Sequence, residues 1–196
     1  MQNIIEDYKK YRWFFTSSGK LVIGGKSSLQ NDELLRRIKS SNHDFLIMHT
    51  ASPGSPFSVI LDNIKKVNEK DLKECAIFTA SFSRAWKSGK KKAIIHAFKS
   101  SQIYKSRDMK AGTWGVSGPV NAISASLHLV LAKQEGILKA IPESAANKKQ
   151  ILLKIAPGKI DKKDMPAKLS IELGESISQE EILSALPSGG FKILRK

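Results

Sequence analysis

The chain has 196 residues, enough for one good core or for one domain with a small appendage. Hydrophobic residues make up 41% and charged residues 26%, the balance of an ordinary folded protein, and no apolar run approaches the ~18–20 residues of a membrane span. A formal net charge of +15 points instead to a polyanionic partner: RNA, DNA or an anionic membrane surface. The first ten residues lack the apolar stretch of a secretory leader. The single cysteine, Cys75, has apolar neighbours at helical spacing and reads as a small buried filler; both features fit a reducing, cytoplasmic setting.

In chain order, residues 4–11 suit a short helix. Arg12–Thr16 and Lys20–Ile23 are aromatic and β-branched runs joined by Ser17-Ser18-Gly19, which predicts a hairpin. Gly24-Gly25 ends it. Ser27 with Gln30 forms a capping-box pattern for a helix that carries Leu29, Leu34, Leu35 and Ile38 to about Lys39. Phe45–Met48 and Phe57–Leu61 are strand-length apolar runs around the turn Ser52-Pro53-Gly54-Ser55-Pro56. Asn68 caps the clearest helix, over 69–88, with Leu72, Cys75, Ala76, Thr79, Phe82, Ser83 and Trp86 at helical spacing and Gly89 as its stop. Strands are then expected at Lys92–Phe98, Gln102–Tyr104, Thr113–Val116, Ser126–Ala132 and Ile137–Ile141, the last two forming a hairpin across Gln134-Glu135-Gly136.

Composition shifts after Glu143. Residues 144–149 read as a linker, 151–155 as a strand, 164–173 as helical, 178–186 as a short capped helix and 191–194 as a closing strand. Hairpins dominate and βαβ alternation is weak. The expectation is therefore an α+β fold: a mostly antiparallel sheet with two main packed helices over 1–143, and a small α/β C-terminal appendix over 146–196 of unassigned role.

The positive charge is concentrated. Residues 84–110 hold nine Lys or Arg against one acid, and residues 139–168 hold eight against three; residues 41–83 hold four against five. Arg84, Lys87, Lys90, Lys91 and Lys92 stand at and beyond a helix end, where lysine also serves the helix dipole. The run then continues through Lys99, Lys105, Arg107 and Lys110, which a dipole does not explain and phosphate contact does. Tyr104 and Trp114 interleave with these charges and suit base stacking, whereas Trp13 and Trp86 follow core periodicity.

Three segments in order resemble the NFACT-R domain of the ribosome-associated quality-control NFACT proteins. The first runs Trp13-Phe14-Phe15-Thr16-Ser17-Ser18-Gly19 through Gly24-Gly25-Lys26 to Gln30-Asn31. The second is His49-Thr50-Ala51-Ser52-Pro53-Gly54-Ser55. The third is Ala80–Trp86, followed by Ile103-Tyr104-Lys105 and Gly112-Thr113-Trp114. The resemblance covers about residues 8–140 and implies a stand-alone copy of the domain that binds RNA: tRNA or ribosomal RNA, with the large ribosomal subunit as its place of work.

Gly24-Gly25-Lys26 before a helix start offers free backbone N–H groups and a charge to a phosphate, without Walker A spacing. Asn31 suits either a base edge or a bond to its own loop. His49 suits base stacking, phosphate contact or acid–base work, with Ser55 beside it in the chain. One cysteine and four scattered histidines give no metal site, and no nucleophile elbow accompanies Ser55. The expected RNA-binding residues are thus Gly24, Gly25, Lys26, Asn31, His49, Ser55, Arg84, Lys87, Lys90, Lys91, Lys92, Tyr104, Lys105 and Arg107, with no catalytic residue, metal or cofactor. Two other functions remain open on sequence: an RNA-modifying enzyme acting through the His49 loop, and a protein-interaction subunit of a ribonucleoprotein.

Overall fold

A computed structural model describes residues 6–41, 43–173 and 177–194. The fold is α+β with antiparallel sheets. β1 (Arg12–Phe15) and β2 (Leu21–Gly24) form the expected hairpin, with Phe15 opposite Leu21. β3 (Leu46–Thr50), β4 (Ser58–Ile60), β5 (Lys92–Lys99) and β8 (Asn121–Ser126) join them in a six-stranded sheet ordered β1-β2-β4-β3-β5-β8. β6 (Ile103–Tyr104) and β7 (Gly115–Val116) make a small ribbon of their own.

Alternation along the strands buries both faces of the large sheet. Phe14, Val22, Met48, Ile60 and Ile95 enter one core cluster; Trp13, Ile23, Ile47, Val59 and Phe98 enter another. The second cluster is covered by α1 (Ser28–Lys39) through Leu34, Leu35 and Ile38, together with Ile103 and Trp114. The first is covered by α2 (Glu69–Ser81) through Cys75, Ala76 and Phe78. Burial pushes the Cys75 thiol up to about 12, which keeps it protonated and inert as an apolar filler.

α2 starts where Asn68 predicts. Asn68 Oδ1 accepts from the Lys70 and Asp71 amides, and Asp71 Oδ2 accepts from the Asn68 amide at 3.1 Å. The same buried Asp71 accepts from Ser18 Oγ at 2.5 Å and pairs with Lys20 Nζ at 3.0 Å, while Glu74 Oε2 takes the Ser17 amide at 2.8 Å. The helix thus holds the tip of the β1–β2 hairpin. Burial alone would raise the Asp71 carboxyl, but the Ser18, Thr16, Asn68 and Lys20 donors outweigh it and bring it down to about 2.

Several expectations are corrected. The helix read as 69–88 is two helices, α2 and α3 (Arg84–Lys87). Ser83 Oγ donates to Ala80 O at 2.6 Å and accepts from the Ala85 amide at 3.1 Å, so one hydroxyl closes the first helix and caps the second. The strand expected at 126–132 is β9 (Leu129–Gln134), and β8 before it was not foreseen: its Ala122, Ser124 and Ser126 give almost no hydrophobic alternation. Of residues 4–11, Tyr8–Lys10 form a 3₁₀ turn, and positions 4 and 5 lie outside the described residues.

The C-terminal segment is joined to the rest by a sheet. β10 (Ile137–Ile141) and β9 form the foreseen hairpin, and β11 (Leu153–Ile160) pairs with β9, then with β12 (Phe191–Leu194), in the order β10-β9-β11-β12. α4 (Met165–Leu173) and α5 (Gln179–Ala185) complete it, with Ser178 Oγ accepting from the Glu181 amide as its capping box predicts. Met165, Leu169, Ile182 and Phe191 belong to the same core cluster as Phe14 and Phe78, so residues 1–143 and 146–196 share both a sheet and a core. Trp86, as expected, is fully buried; its ring N–H donates to Gly190 O at 3.1 Å and its ring packs on Phe191. No helix among the described residues is long and apolar enough to cross a membrane.

Candidate nucleic-acid interface

The loop after β3 is built from short polar contacts. Thr50's amide donates to Ser55 Oγ at 2.9 Å, and Thr50 Oγ1 donates to Ser52 O at 2.5 Å. Gly54 has φ +109, a conformation that favours glycine, and the Arg84 side chain lies across it, 2.4 Å from where a Cβ would stand. In return the Arg84 amide donates to Gly54 O at 2.8 Å. The loop is therefore locked onto the start of α3. Ser55 shapes it rather than standing free.

Between this loop, α3 and the start of β5 lies a cleft of about 330 Å³. Its cations are Arg84, Lys90 and Lys92, all exposed, and Ala51, Ser52 and Pro53 form the opposite wall. No acidic side chain lines it. Lys87 and Lys91 are exposed on the adjoining surface. None of these five cations has an ion-pair partner among the described residues. Water-exposed, unpaired cations around a concave wall of small residues are suited to the phosphates of a nucleic-acid backbone, which they bind by displacing counterions.

His49 stands at the border of the loop. Its ring stacks on Phe57 with centroids 4.4 Å apart, and Nδ1 contacts Thr50 O at 2.7 Å. His96 lies opposite it across the β3–β5 ladder. Burial, aided by His96, lowers the His49 pKa against the opposing pull of the Thr50 carbonyl, so the ring is neutral at pH 7.

The second half of the basic stretch is used differently. Lys105 Nζ donates to Asp32 Oδ1 at 3.2 Å and to the Lys110 and Thr113 carbonyls, both at 2.8 Å. Trp114 is buried, and its ring N–H also donates to Asp32 Oδ1, at 2.8 Å. Burial alone would raise the Asp32 carboxyl, but the Gly112 amide, Trp114 and Lys105 together hold it below the usual range. This corrects two expectations: Trp114 is a core anchor rather than a base-stacking platform, and Lys105 is a strut rather than a free cation. Tyr104 remains 47% exposed, lying over Gly115, and Arg107 is exposed beside Arg36 at a separate depression.

The Gly24–Asn31 loop also has its own internal use. A Cβ on Gly25 would stand 2.2 Å from Asn31 Oδ1, and that oxygen accepts from the Phe57 amide at 3.3 Å. Buried Asn31 therefore makes the bond to its own surroundings, one of the two roles its position allowed, and Gly24 and Gly25 are buried beside it. Ser27 Oγ caps α1 by accepting from the Gln30 amide at 3.2 Å, while Gln30 Oε1 reaches back to the Lys26 amide, one residue earlier than a capping box requires. The two loops meet at Phe57. Their outward side chains differ in company: His49 keeps Phe57 and His96, Lys26 keeps Arg12 and Lys139. Arg12 was not singled out from sequence, because it reads simply as the first residue of a strand.

The family model for the NFACT protein RNA binding domain matches residues 10–118. A curated relative, the archaeal Rqc2 homolog aRqcH of Methanocaldococcus jannaschii, is 31% identical over 202 residues; the match covers 96% of this chain and 29% of the relative. The chain thus spans less than a third of that relative's length. Among solved structures, the C-terminal part of the fibronectin/fibrinogen-binding protein from Streptococcus suis aligns with a TM-score of 0.53 at 22% identity, covering 60% of this chain and 45% of that one; at this identity the likeness speaks for the fold.

Proposed function

We propose that this chain, which belongs to the family of NFACT protein RNA binding domains, binds tRNA or ribosomal RNA on the large ribosomal subunit, in ribosome-associated quality control in the cytoplasm. The curated relative is named as an Rqc2 homolog, which supports that setting. The observation that carries the reading is the cleft between the 50–53 loop and α3, lined by Arg84, Lys90 and Lys92 with no acid among its walls. Lys87, Lys91 and Arg107 extend the footprint, and exposed Tyr104 offers a ring for an unpaired base. His49, next to the lining residue Thr50, borders it as a neutral ring that stacks or accepts a hydrogen bond, and Lys26 is an exposed cation in the other loop.

The test is a binding series with the purified chain against labelled tRNA, ribosomal RNA fragments and duplex DNA at rising salt. The reading expects RNA to be bound more tightly than duplex DNA, with a log–log salt slope of several units at roughly 0.7–0.9 per phosphate contact. Affinity that is indifferent to salt, or equal for duplex DNA, contradicts it.

A further inference from the structure

Phosphate contact accounts for the cations of the cleft but not for Ile94, which also lines it and is 48% exposed. We propose that the open sheet face around Ile94 and His96 is a platform for one unpaired base of the RNA strand whose phosphates lie in the cleft. The proposal rests on the reading that the chain binds RNA.

The register of β3, β5 and β8 fixes this face. His96 of β5 stands opposite His49 of β3 on one side and Ala122 of β8 on the other. Ile94 is opposite Ser124, and Lys92 is opposite Ser126. Residues opposite each other in an antiparallel pair point to the same side of the sheet, as do residues two apart in one strand. Lys92, Ile94, His96, His49, Ala122 and Ser124 therefore share one side. Ile47 and Phe98 continue it, and both belong to the cluster under α1. Beyond Phe98 the cover ends: His96 and His49 are half-buried, while Ile94, Ala122 and Ser124 are exposed. One sheet face thus passes from packed core to open platform and ends at the cleft.

The residue types suit a base. Ile94 offers an apolar contact and His96 a ring, and unpaired bases stack on histidine as on other aromatic side chains. Ala122 and Ser124 are small, so β8 leaves the face flat beside them. Phe57, stacked on His49 at 4.4 Å, holds the ring at the far border in place. A lone exposed isoleucine needs no explanation; here it lies between a ring and a cation on one strand. At ~3.3 Å per residue, Ile94 is about 7 Å from Lys92 and as far from His96, a span that one nucleotide bridges with its phosphate at the lysine and its base at the ring. None of the three strands contains an acid. A polyanion is therefore met by Lys92 without repulsion, whereas a second copy, with the same net charge of +15, would set lysine against lysine.

The test separates base from phosphate. The full chain, labelled at its isoleucine methyl groups, is titrated in NMR with a single-stranded RNA oligonucleotide and with an oligonucleotide of the same length that carries the same phosphates but no bases; Ile94→Val assigns the Ile94 signal. A base lying on Ile94 moves its δ-methyl signal upfield by ring current. The expected result is that shift with the base-bearing strand and none with the abasic one, although both bind. His96→Ala is expected to weaken the base-bearing strand at least about fivefold and to leave the abasic strand unchanged, with thermal unfolding as the folding control. The comparison of the two strands on the wild type needs no variant and stands even if His96→Ala fails to fold. If both strands bind with equal affinity and leave the Ile94 methyl unmoved, the platform is wrong and the phosphate reading of the cleft survives. If neither strand binds, both fall. If the Ile94 signal moves with protein concentration in the absence of RNA, the face joins two copies of the chain and the base assignment is overturned.

Discussion

Lys90–Lys92 and Lys105 stand in the same basic stretch, yet the fold treats their charge in opposite ways. The first group projects from the start of β5 with no acid nearby. In the second, Lys105 is spent inside the molecule: Asp32 and two carbonyls satisfy its three N–H donors, and the buried Trp114 shares the same carboxylate oxygen. A run of positive charge therefore does not mark a ligand surface by itself; the proposed function assigns that role to the cations without a built-in anion. Lys20, held by Asp71, sides with Lys105.

The sharpest break between the two groups is in stability. Trp114→Ala removes the ring that shares Asp32 with Lys105, and Trp86→Ala removes the ring bonded to Gly190 O; each is expected to cost about 3–5 kcal/mol in chemical unfolding. A wild-type midpoint for Trp114→Ala would return that ring to the surface and Lys105 to the free cations.

Acid probes the paired cations next. The Asp71 carboxyl is held down to about 2 from an ordinary 3.8, so it contributes about 2 kcal/mol that is complete above about pH 4 and lost as pH falls toward about 2. Asp32, also held low, adds to the loss in the same direction. Asp71→Asn should flatten the acid limb of the stability curve. A limb of unchanged steepness would show that the Lys20–Asp71 pair is not what acid breaks.

The free cations should show the reverse pattern. Lys90/Lys91/Lys92→Glu is expected to weaken RNA binding at least tenfold, about 1.4 kcal/mol, with the unfolding midpoint unchanged within about 0.5 kcal/mol. The smallest expected effect belongs to Lys105→Gln: less than about threefold on RNA affinity, about 0.6 kcal/mol, accompanied by a measurable loss of stability. If this variant instead loses as much affinity as the Lys90–Lys92 variant, the division between the two groups is wrong.

The sequence carries local signals well here. The Asn68 and Ser178 caps, the Ser17-Ser18-Gly19 turn and the 134–137 hairpin form where residue chemistry predicts, because a few adjacent groups decide each of them. What it conceals is long-range. Nothing near Lys105 in the chain announces Asp32, and nothing near Trp114 shows that its indole reaches the same carboxylate. Asn31 looked equally suited to ligand and to backbone until Phe57 came within reach of its oxygen. Ser83 interrupts a helical stripe that spacing alone carries straight through to Trp86. The shift in composition after Glu143 suggested a boundary, whereas pairing of β9 with β11 runs through it.

The measurement that bears most directly on the central claim is the salt dependence of RNA binding for the wild type beside Lys90/Lys91/Lys92→Gln, which removes charge without reversing it. If these lysines meet phosphates because nothing in the protein neutralises them, the log–log slope of the variant is shallower by about two to three units, at roughly 0.7–0.9 per lost contact. A slope equal to the wild type's, with binding intact, would contradict the claim.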